Sequence, residues 1–358
     1  MFRRLLWLNG LAAFAIPVYH AAAYGISAMF LWTDRYMPVA VPNYDQLGSP
    51  EYYGLMIIRQ LCAYAIPAFI FIPGVFISFS AQGPEGMPWQ VVRNRIQSLL
   101  LPFVLWTLFR FAMLRNLPDN LDDVFSPYYF IVLICQFYAL SPLLARLAKR
   151  NWKLLLVGAA LMQFGTESLF FLGDLGVESN FMGQLRQVLP LWFFPRRIFW
   201  FVLGIVVGFQ RPVFIARLAP IRRRLLAATI LLAIMTLVEY EFFARLAGEA
   251  WLGPSFRGVS SRLYSLAFLL SFVAFDKARL PLSKELSELG GKSLGIYLMN
   301  IPVIYIIGVF LYEYLPWTLG NQLVYQAILI SAGLLVPLWI MKIVRKTPVR
   351  WAYRYVFG

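Results

Sequence analysis

Apolar residues in this chain arrive in blocks of about 20, the length that crosses roughly 30 Å of hydrocarbon. Short polar segments separate them. Ten blocks predict ten membrane-spanning helices, at approximately 5–27, 54–80, 97–115, 126–147, 154–172, 190–210, 225–244, 259–276, 293–314 and 323–343. The breaks hold Met37-Pro38, Val41-Pro42-Asn43, Gly83-Pro84-Glu85-Gly86 and Leu252-Gly253-Pro254, residue types that end helices and form turns. The pattern predicts an all-α polytopic membrane protein, a single domain over residues 1–358. The first block follows Phe2-Arg3-Arg4 and contains Ala21-Ala22-Ala23, so it also imitates a cleaved secretory leader. Its length, and the fit of the spans that follow, favour a retained helix.

Composition agrees: 60% of residues are hydrophobic and 14% charged, against about 25% charged in a soluble domain. Cys62 and Cys135 both lie inside apolar runs and read as small core residues, not as a disulfide or metal framework. The formal charge of +15 would suit a nucleic-acid partner, but its distribution explains it otherwise. Basic residues crowd into alternate segments: Arg3 and Arg4, Arg93 and Arg95, and the stretches 146–153, 211–224, 277–292 and 342–354. The positive-inside rule places these segments and both termini in the cytoplasm, in a multi-pass protein of the plasma or inner membrane. No nucleic acid is implied.

Ionisable residues inside the blocks are costly and carry the functional signal. The chain has one histidine, His20, about seven residues below the outer end of the first span. At 1.5 Å per residue, His20, Arg59, Arg110, Glu167, Glu239 and Glu241 all lie in a layer roughly 5–10 Å below the outer surface. Arg196, Arg197 and Arg262 enter at a similar level. Taken singly, Arg197 and Arg262 read as side chains that snorkel to water. His20, Glu167 and Glu239 are too short for that, so the set reads as the lining of an outward-facing polar cavity. Asn9 shares a helix face with His20 about 16 Å deeper, and Pro17 should kink the helix between them. A lone imidazole makes no metal site but suits proton transfer to or from a hydroxyl. On the residues alone His20 is either a catalytic or ligand-contacting group or a satisfied core histidine. Arg93 and Arg95 either follow the positive-inside rule or form a cationic mouth for an anionic cytoplasmic donor.

Six segments in order resemble the integral-membrane acyltransferases of acyltransferase family 3. They are Leu8-Asn9-Gly10-Leu11 through Tyr19-His20; Arg59 with IPAFIFIPGVFIS (66–78); RNRIQSLLLPFVLW (93–106); YYFIVLICQFYALSPLL (128–144); FWFVLGIVVGF (199–209); and LGGKSLGIYLMNIPVI (289–304). The likeness is nearest to the subgroup that acylates extracellular poly-N-acetylglucosamine, the intercellular adhesin. Three positions depart from the family pattern: Asn9 stands where a basic residue is usual, Pro73-Gly74 where Ser-Gly is, and Asn300 where a histidine often is.

The resemblance implies transfer of an acyl group, most simply acetyl, from cytoplasmic acyl-CoA to a hydroxyl of a cell-surface or lipid-linked glycan. His20 would be the general base. Arg59, with Arg110, would hold donor or developing negative charge. Glu167 and Glu239 would pair with those arginines or bind sugar hydroxyls, and Arg93 and Arg95 would meet the phosphates of coenzyme A. Asn9 and Asn300 join the substrate-contacting set. Acyl-CoA is a donor substrate, not a bound cofactor; the bilayer and proteins of polysaccharide synthesis are the further partners. The same polar layer would equally serve a transporter or flippase of lipid-linked sugars, which needs no coenzyme A.

Overall fold

The computed structural model describes residues 2–31, 47–83, 86–114, 118, 120–177, 179–247 and 258–358. The turns at Met37-Pro38, Val41-Pro42-Asn43 and Leu252-Gly253-Pro254 lie outside them. In chain order the helices are α1 (Phe2–Leu31), α2 (Pro50–Leu61), α3 (Ala65–Ser80), α4 (Trp89–Leu114), α5 (Leu121–Phe125), α6 (Tyr129–Asp174), α7 (Asn180–Gln187), α8 (Ile198–Phe209), α9 (Arg211–Leu218), α10 (Arg222–Ala247), α11 (Val259–Ala274), α12 (Ser283–Gly290), α13 (Ser293–Tyr314), α14 (Gln322–Lys346) and α15 (Tyr353–Phe357). No strand occurs among the described residues. The protein is all-α and polytopic.

Seven helical stretches are long and apolar enough to cross a membrane, and α8 and α11 are shorter apolar helices. Helix α6 runs for 46 residues, about twice what one crossing needs. It breaks at Asn151, whose φ of −153° and ψ of 84° are not helical. The Asn151 carboxamide accepts from Leu154 N at 3.1 Å and so caps a second helix. Taking α6 as two passes, these stretches account for all ten predicted blocks.

Prolines explain where the helices depart from the blocks. The second block is two helices, not one, with a turn at Cys62–Tyr64 between them. Pro67 has no N–H to extend α2 past that point, but is tolerated in the first turn of a new helix. Pro190 and Pro195 likewise delay α8, which starts only at Ile198.

The fold comprises two compact units, residues 1–65 with 280–358, and residues 66–279. In the first unit α1 is the central helix. Helix α12 crosses it backbone to backbone. A Cβ on Gly10 would lie 1.8 Å from Leu286 O, and one on Gly290 2.1 Å from Leu6 O, so neither position tolerates a side chain. Asn9 Nδ2 ties the crossing by donating to Gly290 O at 2.7 Å and Ser293 Oγ at 2.8 Å. Trp7 Nε1 donates to Pro281 O at 2.7 Å. Further along α1, two glutamines of α14 reach its backbone. Gln326 Nε2 donates to Ala21 O at 3.1 Å and Gln322 Nε2 to Gly25 O at 3.4 Å. An apolar cluster of Ala21, Ala28, Ile304, Leu311, Leu319, Tyr325 and Leu329 packs beside them.

The second unit has α8 in its interior. Residues 198–208 of this helix are all buried. It meets α3 through glycines: a Cβ on Gly74 would lie 2.3 Å from Phe201 O, and one on Gly204 2.1 Å from Phe71 O. Phe137 of α6 stacks on Phe201 at 4.9 Å. Helices α10 and α11 pair through Thr229 and Ser271, whose hydroxyls are 3.3 Å apart.

Candidate active site

The polar layer expected from helix depth falls into both units. His20, Arg59, Asn9 and Asn300 belong to the first, and Arg93, Arg95, Arg110, Glu167 and Glu239 to the second.

In the first unit, α2 buries Tyr52, Leu55, Met56, Arg59 and Gln60, the i, i+3, i+4 spacing of a single helical stripe. Its N-terminus is fixed by Ser49, whose hydroxyl accepts from Tyr52 N at 3.1 Å. Arg59 falls in the last turn, where the helix dipole favours a cation. Only 4% of Arg59 is exposed. Its Nη2 donates to Tyr19 OH at 2.8 Å, and the guanidinium lies 4.7 Å from the centre of the Tyr19 ring. Tyr19 is thus a hydrogen-bond acceptor and a π face for the same cation.

His20 stands edge-on to that ring, centroids 5.7 Å apart and planes at 87°. The imidazole is half-buried. Neither of its nitrogens has a hydrogen-bond partner among the described residues. The imidazole thus has no hydrogen-bond commitment among the described residues. Asn300 is fully buried, and its Nδ2 donates to Ile296 O at 3.0 Å and Tyr297 O at 2.7 Å in its own helix. Its Oδ1 has no partner among the described residues. Gln60 is 1% exposed and neither end of its carboxamide is paired among the described residues. Asn9 does not share this surrounding; its amide is committed to the crossing of α1 with α12.

In the second unit, one face of α6 carries Gln163, Thr166, Glu167 and Phe170 towards the segment that starts α8. Gln163 Oε1 accepts from Phe199 N at 3.0 Å, capping α8. Phe170 lies under the Arg196 guanidinium at 3.7 Å. Glu167, 2% exposed, takes Arg197 on one carboxylate oxygen and Arg262 on the other. Arg197 and Arg262 therefore do not snorkel; a buried carboxylate holds both. Glu239 caps α11, accepting from Val259 N at 2.9 Å and Ser260 N at 2.8 Å.

Arg110 donates to Asp123 O and lies 4.4 Å from the Phe111 ring centre. Arg93 is exposed near the start of α4, and Arg95 lies 5.6 Å from the Tyr138 ring centre. Reasoning from sequence passed over Tyr19, Gln60, Gln163 and Gln326. The available signal was the presence of uncharged polar side chains inside apolar spans.

A family profile identifies the chain's class. The profile of acyltransferase family 3, described as an acyltransferase domain, matches residues 4–342. The chain belongs to that family and is a multi-pass membrane acyltransferase, with acyl transfer to a glycan-type acceptor as its general activity. Comparison with curated proteins yields no significant match, and comparison with solved structures yields none either.

Proposed function

We propose that this protein transfers an acyl group, acetyl in the simplest case, from cytoplasmic acyl-CoA to a hydroxyl of a cell-surface or lipid-linked glycan, with His20 as general base. The enzyme resides in the plasma or inner membrane with both termini cytoplasmic. The poly-N-acetylglucosamine subgroup supplies the nearest candidate acceptor.

One observation carries the reading: a half-buried imidazole whose nitrogens have no hydrogen-bond partner among the described residues, beside the Tyr19–Arg59 pair. His20 takes the proton of the acceptor hydroxyl as its oxygen attacks the thioester carbon. The carbonyl oxygen becomes an oxyanion, and Arg59 stabilises that charge in surroundings of low dielectric. The tetrahedral species collapses by breaking the carbon–sulfur bond. The imidazolium then returns its proton to the leaving thiolate, giving acylated glycan and free coenzyme A. Tyr19 fixes the guanidinium, while Gln60 and the open Oδ1 of Asn300 offer hydrogen bonds to substrate. Arg93 and Arg95 are assigned to the phosphates of coenzyme A, which an exposed guanidinium recognises with a forked contact. Arg110 assists with donor charge. Proteins of polysaccharide synthesis are natural partners, because they supply the acceptor.

The test is His20→Ala in membranes given labelled acyl-CoA and glycan acceptor. Transfer should be lost at undiminished protein level; transfer at the wild-type rate would remove His20 from the mechanism.

A further inference from the structure

The Glu167 cluster holds more donors than its acceptors can use. Two guanidiniums present ten N–H groups, and one carboxylate offers about four lone-pair sites. Arg197 meets Glu167 through Nη1 alone and Arg262 through Nε alone. Each contact is single, so neither arginine makes the forked pair that guanidinium and oxyanion favour. Arg197 Nε is shielded from solvent and unpaired among the described residues.

An independent observation comes from the same face of α6. Gln163 is fully buried, its oxygen capping α8, and its Nε2 has no partner among the described residues. Both arginines also stand at helix N-termini. Arg197 is the N-cap residue of α8, and Arg262 lies in the first turn of α11. Both add positive partial charge. The other carboxylate near Arg262, Glu239, has both oxygens occupied by amides of α11. Glu167 Oε2 faces Arg262 as an ion pair but makes no hydrogen bond among the described residues, so some acceptor capacity is also unused, and donors remain in excess.

We propose that Arg197, Arg262 and Gln163 form a binding site for a phosphate group, with Glu167 as the resident counter-anion that shares or yields the arginines when phosphate arrives. A phosphate's tetrahedral oxygens match the two unused guanidinium forks and the Gln163 amide better than one carboxylate does. The phosphate comes either from a lipid headgroup or from a free phosphorylated molecule. Assigning it to a lipid-linked acceptor rests on the acyl-transfer reading; the site itself does not.

The experiment uses the full chain. Thermal unfolding is followed in detergent against inorganic phosphate, with chloride at matched ionic strength as control, and in nanodiscs with and without a phosphomonoester lipid. Arg262→Gln should weaken the stabilisation by phosphate about tenfold or more, as expected for losing a charge-assisted contact. Glu167→Gln should strengthen it, because the competing carboxylate is gone. A purely structural ion pair cannot produce that opposite sign. Stabilisation by the lipid alone, lost in Arg262→Gln, would assign the phosphate to a headgroup; stabilisation by inorganic phosphate would assign it to a free molecule. Identical titrations in wild type and both variants, or equal effects of chloride, would overturn the proposal. Labelled acyl-CoA turnover, measured in parallel, separates the two readings. Phosphate binding with no turnover fails the transfer mechanism, and turnover with no phosphate binding fails only this site.

Discussion

In the first unit the buried Arg59 guanidinium meets a tyrosine hydroxyl and ring, while the Gln60 carboxamide on α2 and Asn300 Oδ1 on α13 have no partner among the described residues. Around Glu167 two guanidiniums share a carboxylate, and the neighbouring polar groups cap helices. Both sets sit in apolar helices at similar sequence depth, yet they use burial differently. The first leaves the His20 nitrogens, the Gln60 carboxamide and Asn300 Oδ1 unpaired among the described residues, as the proposed chemistry requires. The second compensates charge locally, and its excess of donors suits holding an anion. A polar residue inside a span thus signals function only once its partners are known.

The largest difference expected between the two is in turnover. His20→Ala should lower acyl transfer by about 10²–10⁴-fold, the usual contribution of a general base. Glu167→Ala, assayed per folded molecule with labelled acyl-CoA, should retain donor turnover. Equal losses in both would mean that the two clusters serve the same step.

Stability should show the reverse ranking. Glu167→Ala leaves two arginines without their carboxylate, and breaking such a buried pair costs about 3–5 kcal/mol. Thermal unfolding in detergent should register that loss plainly, while His20→Ala should unfold close to wild type because its imidazole makes no hydrogen bond among the described residues. A destabilised His20→Ala protein would recast His20 as a packing residue.

What the sequence disclosed, and what it withheld, follows from the same contrast. Ten apolar blocks were legible because hydrocarbon thickness imposes a length, and the break at Asn151 because a run of twice that length cannot cross once. His20, Arg59 and Glu167 were legible as costly residues. Their partners were not. Counting residues from a helix end gives depth, one coordinate of three, while rotation about the helix and the neighbour it faces come from packing. Hence Glu167 was matched in depth with Arg110 but meets Arg197 and Arg262. Asn9 looked like a substituted basic site and is a tie between α1 and α12. The glutamines escaped notice because an uncharged amide costs less to bury than a charge and stands out less in an apolar run.

Tyr19→Phe isolates how much of the first cluster depends on one hydroxyl. The ring stays, so the guanidinium keeps its π contact, but a hydrogen bond from a charged donor is lost. Such bonds contribute about 1.5–3 kcal/mol, so turnover should fall about tenfold if Tyr19 positions Arg59 for the oxyanion. Arg59→Lys should fall at least as far, since a point charge cannot hold Tyr19 and a substrate oxygen with one planar fork. If Tyr19→Phe turns over like wild type, the Tyr19 hydroxyl does not position Arg59.

The smallest effect expected comes from outside the cluster. Gln326 reaches the carbonyl of Ala21, the residue after His20, in a helix where Pro17 has already removed one backbone hydrogen bond. Gly25 admits this approach: a Cβ there would lie 2.3 Å from Gln326 Nε2. Gln326→Leu keeps the apolar packing of α14 and deletes, together with a longer bond to Gln322 Oε1 within α14, the bond to Ala21 O, worth about 1 kcal/mol. If that bond fixes the angle at which α1 presents its imidazole, kcat should fall about fivefold with KM for acyl-CoA unchanged. A matched loss of thermal stability with kcat intact would instead show that the bond braces the helix without aiming His20. Nothing equivalent is expected for Gln163→Leu on turnover, because the helix it caps carries no residue of the His20 cluster.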